Sequence, residues 1–309
     1  MPILIASELR ELLDADPLPG HGVEWIAADQ PTPTGDYEAI VPLLSRRIGD
    51  VELDGLPRLR IVANCAVGYD NIDLAACAKR DVVVTNTPDV LTEATADLTW
   101  ALILATARRF KEAMTLVVED AWTGWHPQQL LGLELSGKTL GIVGAGRIGS
   151  AVARRAVGFG MTVLYGDTSR NEALERETGA RLVDLDELLA LADVVSVHVP
   201  STPETRGLFD AERFGRMKPG AVFVNTARGD IVDEAALIAA LEDGHMGGAG
   251  LDVFADEPAI PRGLAEHPRV LALPHIGSAT TETRRAMAGL AVENVRRVLA
   301  GEEAVTPVG

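Results

Sequence analysis

Residues 139–143 form a short β-branched run that passes directly into Gly144-Ala145-Gly146-Arg147-Ile148-Gly149. A helical stretch at 150–159 follows, then a second strand pattern that ends at Asp167. Strand, glycine turn, helix, strand and terminal acid make a βαβ unit suited to a dinucleotide. Gly144 permits the tight turn, Gly146 lets the backbone approach a pyrophosphate, and Gly149 lets helix and strand pack closely. Arg147 and Ile148 open the helix, whose N-terminus offers N–H groups and partial positive charge to phosphates. Asp167 is placed to accept hydrogen bonds from the adenine ribose and to repel a 2′-phosphate, which favours NAD. Ser169 and Arg170 follow at once and would hold that phosphate if turned inward, so NADP stays open.

Around this unit, β-branched runs alternate with helical patterns, the mark of an α/β fold with parallel sheets. Strands are expected at 3–5, 39–44, 59–63 and 82–85, with a helix at 72–79 among them. A long helix is expected at 91–109, with Ala96, Trp100, Ile103, Leu104 and Ala107 on its apolar face. Residues 119–137 hold two tryptophans and Pro127 and read as a connector or protruding arm. Further strands are expected at 162–165, 194–199, 221–225, 249–253 and 270–273, and a closing helix at 281–299. At 309 residues, two domains are the natural division.

Composition narrows the partners. A formal charge of -17 argues against nucleic acid or an anionic membrane, both of which select basic patches. No apolar run reaches the length of a membrane span, and the N-terminus lacks the basic start of a signal peptide. Cys65 and Cys77 stand alone, so neither a disulfide framework nor a metal site is expected. A reducing cytoplasm is the simplest setting.

Later motifs occur in a fixed order: Val197-His198-Val199-Pro200, Met217-Lys218-Pro219-Gly220, Asn225-Thr226-Ala227-Arg228-Gly229, Gly250-Leu251-Asp252-Val253-Phe254 with Glu257-Pro258, and Pro274-His275-Ile276-Gly277. Together they resemble the D-isomer-specific 2-hydroxyacid dehydrogenases over nearly the whole chain. The run from Ala63 to Asp70 and the segment from Trp122 to Gly132 are most similar to glyoxylate/hydroxypyruvate reductases within that family. The resemblance implies two doubly wound parallel-sheet domains. A Rossmann dinucleotide domain, 95–278, would be inserted into a flavodoxin-like substrate-binding domain, 1–94 with 279–309. It also implies a cleft that closes on a small 2-keto or 2-hydroxy acid, and a homodimer.

Carried over residue by residue, the resemblance makes Arg228 the cation that holds the substrate carboxylate and polarises the adjacent carbonyl. A guanidinium fork does this in a defined plane, as a lysine does not. His275 becomes the acid/base that protonates the alkoxide left by hydride addition, near neutral pH. Glu257 becomes the carboxylate that fixes the orientation of that ring. Main-chain N–H groups at Val67 and Gly68 are expected on the substrate carboxylate. Thr95, Val199, Pro200, Thr205, Thr226, Ala227 and Gly277 are expected to line the cofactor, beside Arg228 and His275, and Asp252 to hold the nicotinamide amide. Trp125 is expected to reach the active site of a partner subunit. His198, in an apolar strand, reads instead as a packed histidine.

Enzymes of the same fold that act on 3-phosphoglycerate or phosphite compete with this reading. So does a different class, a non-catalytic NAD-sensing interaction protein, against which turnover of a simple keto acid would favour the enzyme.

Overall fold

The computed structural model describes residues 2–308. The chain divides into two compact units, 1–91 with 278–309 and 92–277.

In the first unit, five parallel strands take the order β2-β1-β3-β4-β5, with β1 at Pro2–Ala6, β2 at Gly22–Ile26, β3 at Ala39–Val41, β4 at Ile61–Ala63 and β5 at Val83–Thr85. This is the flavodoxin-like order. The short helices α1 (Asp50–Asp54) and α2 (Leu74–Ala78) supply crossover cover, the second capped by the Asp73 carboxylate on the Ala76 N–H. Strand β3 ends sooner than its apolar run, because Pro42 has no N–H to continue a ladder. Strand β2 was not expected from its sequence. As the sheet edge it keeps Glu24 and other residues partly in solvent, so it lacks the apolar run that marks a central strand.

The second unit opens with α3 (Thr92–Ala107) and α4 (Phe110–Val118), separated where Arg109 turns to φ 55. Helix α3 matches the helix expected at 91–109, whereas α4, beyond that turn, was not expected from the sequence. A seven-stranded parallel sheet follows, in the order β12-β11-β10-β9-β6-β7-β8. Its strands are β6 (Thr139–Val143), β7 (Thr162–Gly166), β8 (Arg181–Leu182), β9 (Val194–Val197), β10 (Val222–Asn225), β11 (Gly248–Leu251) and β12 (Val270–Ala272). The intervening helices are α5 (Arg147–Gly158), α6 (Glu172–Thr178), α7 (Leu185–Leu191), α8 (Ala211–Arg216), α9 (Glu234–Glu242) and α10 (Arg262–Ala265). The first six strands in chain order repeat the Rossmann arrangement, and the strand order reverses between β6 and β9.

Two buried clusters fill this unit. One includes Phe209, Phe214 and Phe223 with Leu188, Leu237 and Leu264; the other packs α3 and α5 through Trp100, Ile103, Val152 and Ala156. The strands are buried on both faces and so read as continuous apolar runs. The last helix, α11 (Thr281–Leu299), belongs to the first unit, where the Arg60 guanidinium donates to the carbonyl of Val298 at 2.8 Å.

Candidate active site

Because the second sheet is parallel, the carboxyl ends of its strands share one edge, where ligands of such sheets bind. The glycine turn lies there, at the reversal of strand order. Gly144 has φ 95, and a Cβ on it would stand 2.8 Å from the His198 carbonyl carbon and the Val199 nitrogen. A Cβ on Gly149 would stand 2.0 Å from the Gly144 carbonyl oxygen, so no side chain fits between helix and turn. Gly146 is the opposite case, with open space at its Cβ position, and no side chain caps α5. Asp167 follows β7 and its carboxylate accepts the Ala145 N–H at 2.7 Å. A backbone that can be approached closely, an uncapped helix N-terminus and an acid at the end of β7 fit a dinucleotide.

After β10 the chain turns sharply through its own asparagine. Asn225, almost fully buried, accepts the Ala227 N–H at 2.9 Å and donates to the Arg228 carbonyl at 2.8 Å. This Asx turn ends the strand and fixes the backbone of the loop that carries Arg228. Gly229 then packs on the segment after β11, where a Cβ would come within 1.9 Å of the Phe254 carbonyl carbon. The contact ties the arginine loop to the stretch that leads to Glu257.

Glu257 meets His275 there, with Oε2 2.8 Å from the ring Nδ1. Its other oxygen accepts the Phe254 N–H at 3.0 Å, so the carboxylate is anchored from two sides. Burial works against its ionisation. The His275 bond and charge, the Phe254 N–H and the nearby Arg228 outweigh it and hold the carboxyl below its ordinary range. His275 itself sits at φ 54, a region non-glycine residues seldom adopt. Asp252 over-determines that turn. Its two oxygens accept the N–H groups of Ile276 and Gly277 at 2.8 and 2.7 Å. With 1% exposure and both oxygens engaged, Asp252 clamps the histidine turn, a role the sequence did not signal.

From α3, Thr99 Oγ1 stands 2.9 Å from Thr226 Oγ1, and the Thr95 hydroxyl lies 3.5 Å from where a Gly277 Cβ would be. Buried hydroxyls thus run beneath the same edge. Val199 and Pro200 follow β9, and Thr205 turns inward on its own loop, donating to the Pro200 carbonyl at 2.6 Å. His198 is paired through Nε2 with Ser196 Oγ at 2.8 Å, and burial pushes its pKa down to about 3, so the ring is neutral.

In the first unit, the loop after β4 presents a row of donors. The Ala66 carbonyl accepts the Thr87 N–H, the Val67 carbonyl accepts Asn86 Nδ2, and the Gly68 carbonyl accepts Asn64 Nδ2, at 2.9, 2.8 and 2.8 Å. Across a trans peptide, N–H and C=O point opposite ways. The N–H groups of Val67, Gly68 and Tyr69 therefore project away from these anchors, and among the described residues none of the three has an acceptor. Successive N–H groups of this kind make an anion-binding concavity.

Residues 100–277 match the family model described as D-isomer specific 2-hydroxyacid dehydrogenase, NAD binding domain. The chain belongs to that family. A glyoxylate reductase of Thermococcus onnurineus is 50% identical over 271 residues, which span 86% of this chain and 81% of that protein. Among solved structures, the TT0316 protein of Thermus thermophilus superposes with a TM-score of 0.90 at 43% identity, covering 100% of both chains. An NADPH-dependent glyoxylate/hydroxypyruvate reductase of Sinorhizobium meliloti, solved with NADP and malonate, gives 0.88 at 37% identity over 100% of this chain and 96% of that one. This 2-hydroxyacid dehydrogenase is an NAD(P)-dependent oxidoreductase that works by hydride transfer.

Proposed function

We propose that this dehydrogenase reduces small 2-keto acids, glyoxylate and hydroxypyruvate foremost, and prefers NADH. The observation that carries the reading is the His275–Glu257 pair, closed at 2.8 Å on the strand edge that also holds Arg228 and the glycine turn. Relatives that reduce glyoxylate, near half identical over most of the chain, support the substrate class. We assign 95–278 to cofactor binding and 1–94 with 279–309 to substrate binding.

The chemistry follows from the groups present. Arg228 pairs its guanidinium with the substrate carboxylate and draws charge from the neighbouring carbonyl. The N–H groups of Val67 and Gly68 form an anion-binding concavity suited to a carboxylate. The nicotinamide, when bound, supplies the hydride. His275 has Nδ1 committed to Glu257, so Nε2 is the nitrogen that gives a proton to the new alkoxide, or takes one from a hydroxyl in reverse. Glu257 keeps the ring in that orientation and balances its charge. Asp252 holds the turn, and Gly144, Gly146 and Gly149 admit the dinucleotide with Asp167 on its ribose.

Oxidation of NADH and NADPH against glyoxylate, hydroxypyruvate, pyruvate and longer 2-keto acids tests this. Turnover above roughly 1 s⁻¹ with the two-carbon or three-carbon acids is expected, near the low end for enzymes. Tight dinucleotide binding without turnover of any acid would overturn it.

The protein also works as a homodimer in the cytoplasm in this reading. Helix α4 buries none of its residues and exposes Phe110, Met114, Val117 and Val118, followed by exposed Trp122, Trp125 and Leu131. An apolar stripe of that length on a water-facing helix is unfavourable unless covered, and a second copy covers it symmetrically. Val117→Glu should yield monomers in light scattering at micromolar concentration, and a wild-type monomer would refute the assignment. Both thiols are free and buried, as suits a reducing compartment.

A further inference from the structure

The loop that leaves β7 carries an acid and a base with opposite cofactor preferences, and the fold binds only one of them to a task facing the glycine turn. Asp167 reaches back to the Ala145 N–H. Arg170, three residues on, does not. Its Nε and Nη2 close on both oxygens of Glu175 at 2.7 to 3.1 Å, in the fork geometry of a bidentate pair.

Glu175 is not an ordinary surface partner. Its Oε1 accepts the hydroxyl of Tyr165 at 2.8 Å, and that tyrosine, in the middle of β7, has 0% exposure. The same hydroxyl accepts the Asn171 N–H at 2.8 Å, while Asn171 caps α6 and donates through Nδ2 to the Ala145 carbonyl and to Ser150. The Arg170 fork and the Tyr165 hydroxyl hold the Glu175 carboxyl below its ordinary range, so it is charged wherever the enzyme works. The carboxylate side chain is only 17% exposed, against 65% for Arg170. A largely buried anion thus meets an exposed cation.

We propose that Glu175 is a specificity-determining residue, which withholds Arg170 from the adenosine 2′-position and so disfavours NADP. This rests on the reading that the turn at Gly144–Gly149 takes a dinucleotide with NAD preferred. An unrestrained arginine at this place on the loop is a ready partner for a 2′-phosphate. In this chain it is neutralised by Glu175, and Asp167 adds a second negative charge on the same loop. Replacing Glu175 by Gln removes the competing anion but leaves an acceptor for Tyr165, so the fold is not put at risk.

Titration calorimetry with NAD+ and NADP+ on the full-length wild type, Glu175→Gln, Arg170→Gln and the double variant decides the matter without any turnover. For Glu175→Gln the Kd of NADP+ should fall roughly threefold to tenfold, somewhat more than an exposed pair alone is worth because a like charge is removed too. The Kd of NAD+ should change less than twofold. The double variant should lose the gain, and Arg170→Gln alone should leave NADP+ binding within about twofold of wild type. An unchanged NADP+ affinity in Glu175→Gln, a gain that survives in the double variant, or a large loss in Arg170→Gln alone would each overturn the proposal. A wild type that binds NADP+ far more tightly than NAD+ would instead overturn the NAD preference beneath it.

Discussion

Replacing Glu257 by Gln isolates the charge in the pair proposed to run proton transfer. The substitution keeps the shape and keeps an oxygen for the Phe254 N–H, at 3.0 Å in the native protein. It then turns an NH₂ group toward Nδ1 of His275, which is 2.8 Å from the native carboxylate. A protonated ring cannot donate to an amide NH₂. A hydrogen bond to a charged group is worth about 1.5 to 3 kcal/mol. Both side chains are about a third exposed, 34% and 35%, so screening argues for the low end. A loss of about 1.4 kcal/mol, or tenfold in kcat, is therefore the least expected. KM and the Kd of the dinucleotide should change little, because the pair acts on the proton and not on either carboxylate or phosphates. The pH dependence sharpens the test. The Glu257 pKa lies below the ordinary value of 4.5, so the carboxylate's contribution is fully present above 4.5 and lost only as pH falls through the lowered value. Wild-type kcat should then exceed that of the variant at every pH from 8 to 5. Stopped-flow measurement of NADH oxidation with glyoxylate reads both quantities. A variant with wild-type kcat anywhere in that window would refute the reasoning.

His275→Ala should remove more than 99% of turnover in both directions while NAD+ still binds within about twofold, as calorimetry would show; retained turnover strips His275 of its role. Gly149→Ala puts a methyl 2.0 Å from the Gly144 oxygen, so dinucleotide affinity and thermal stability should fall together. Asp167→Ala should narrow the ratio of NADP+ to NAD+ dissociation constants, and an unchanged ratio would move the discrimination to Glu175 and Arg170. His198 offers a stability test. Its folded pKa of about 3 lies below the unfolded 6.5, so below pH 6.5 the unfolded chain binds a proton that the native state refuses. Stability is lost progressively as pH falls from 6.5 toward 3, by about 2 kcal/mol at pH 5. Urea midpoints of the wild type should drop more between pH 7.5 and pH 5 than those of His198→Asn, and equal drops would rule the cause out.

Much of the site was legible in the chain because each chemical group there follows a strand. A parallel strand buried on both faces is a conspicuous apolar run, and the residue types after it have few structural reasons to be there. That is why the turn at Gly144 stands out from sequence, and why the strand-end places of Arg228 and His275 agree with the roles the family resemblance implies. Strand β2 did not stand out, since an edge strand with Glu24 in solvent carries no such run, and α4, which buries none of its residues, was not expected either. The sequence alone determined the α/β class and the glycine turn with its acid, because side-chain type and short-range spacing are local properties; the three groups proposed for catalysis came from the family resemblance of its ordered motifs. Tertiary structure decided which oxygen meets which hydrogen: Glu257 meeting the ring of His275, Asp252 clamping the turn of His275, and Asn171 reaching the Ala145 carbonyl. Those pairings span separate strands and loops, and only the packed sheet brings their atoms within hydrogen-bond distance.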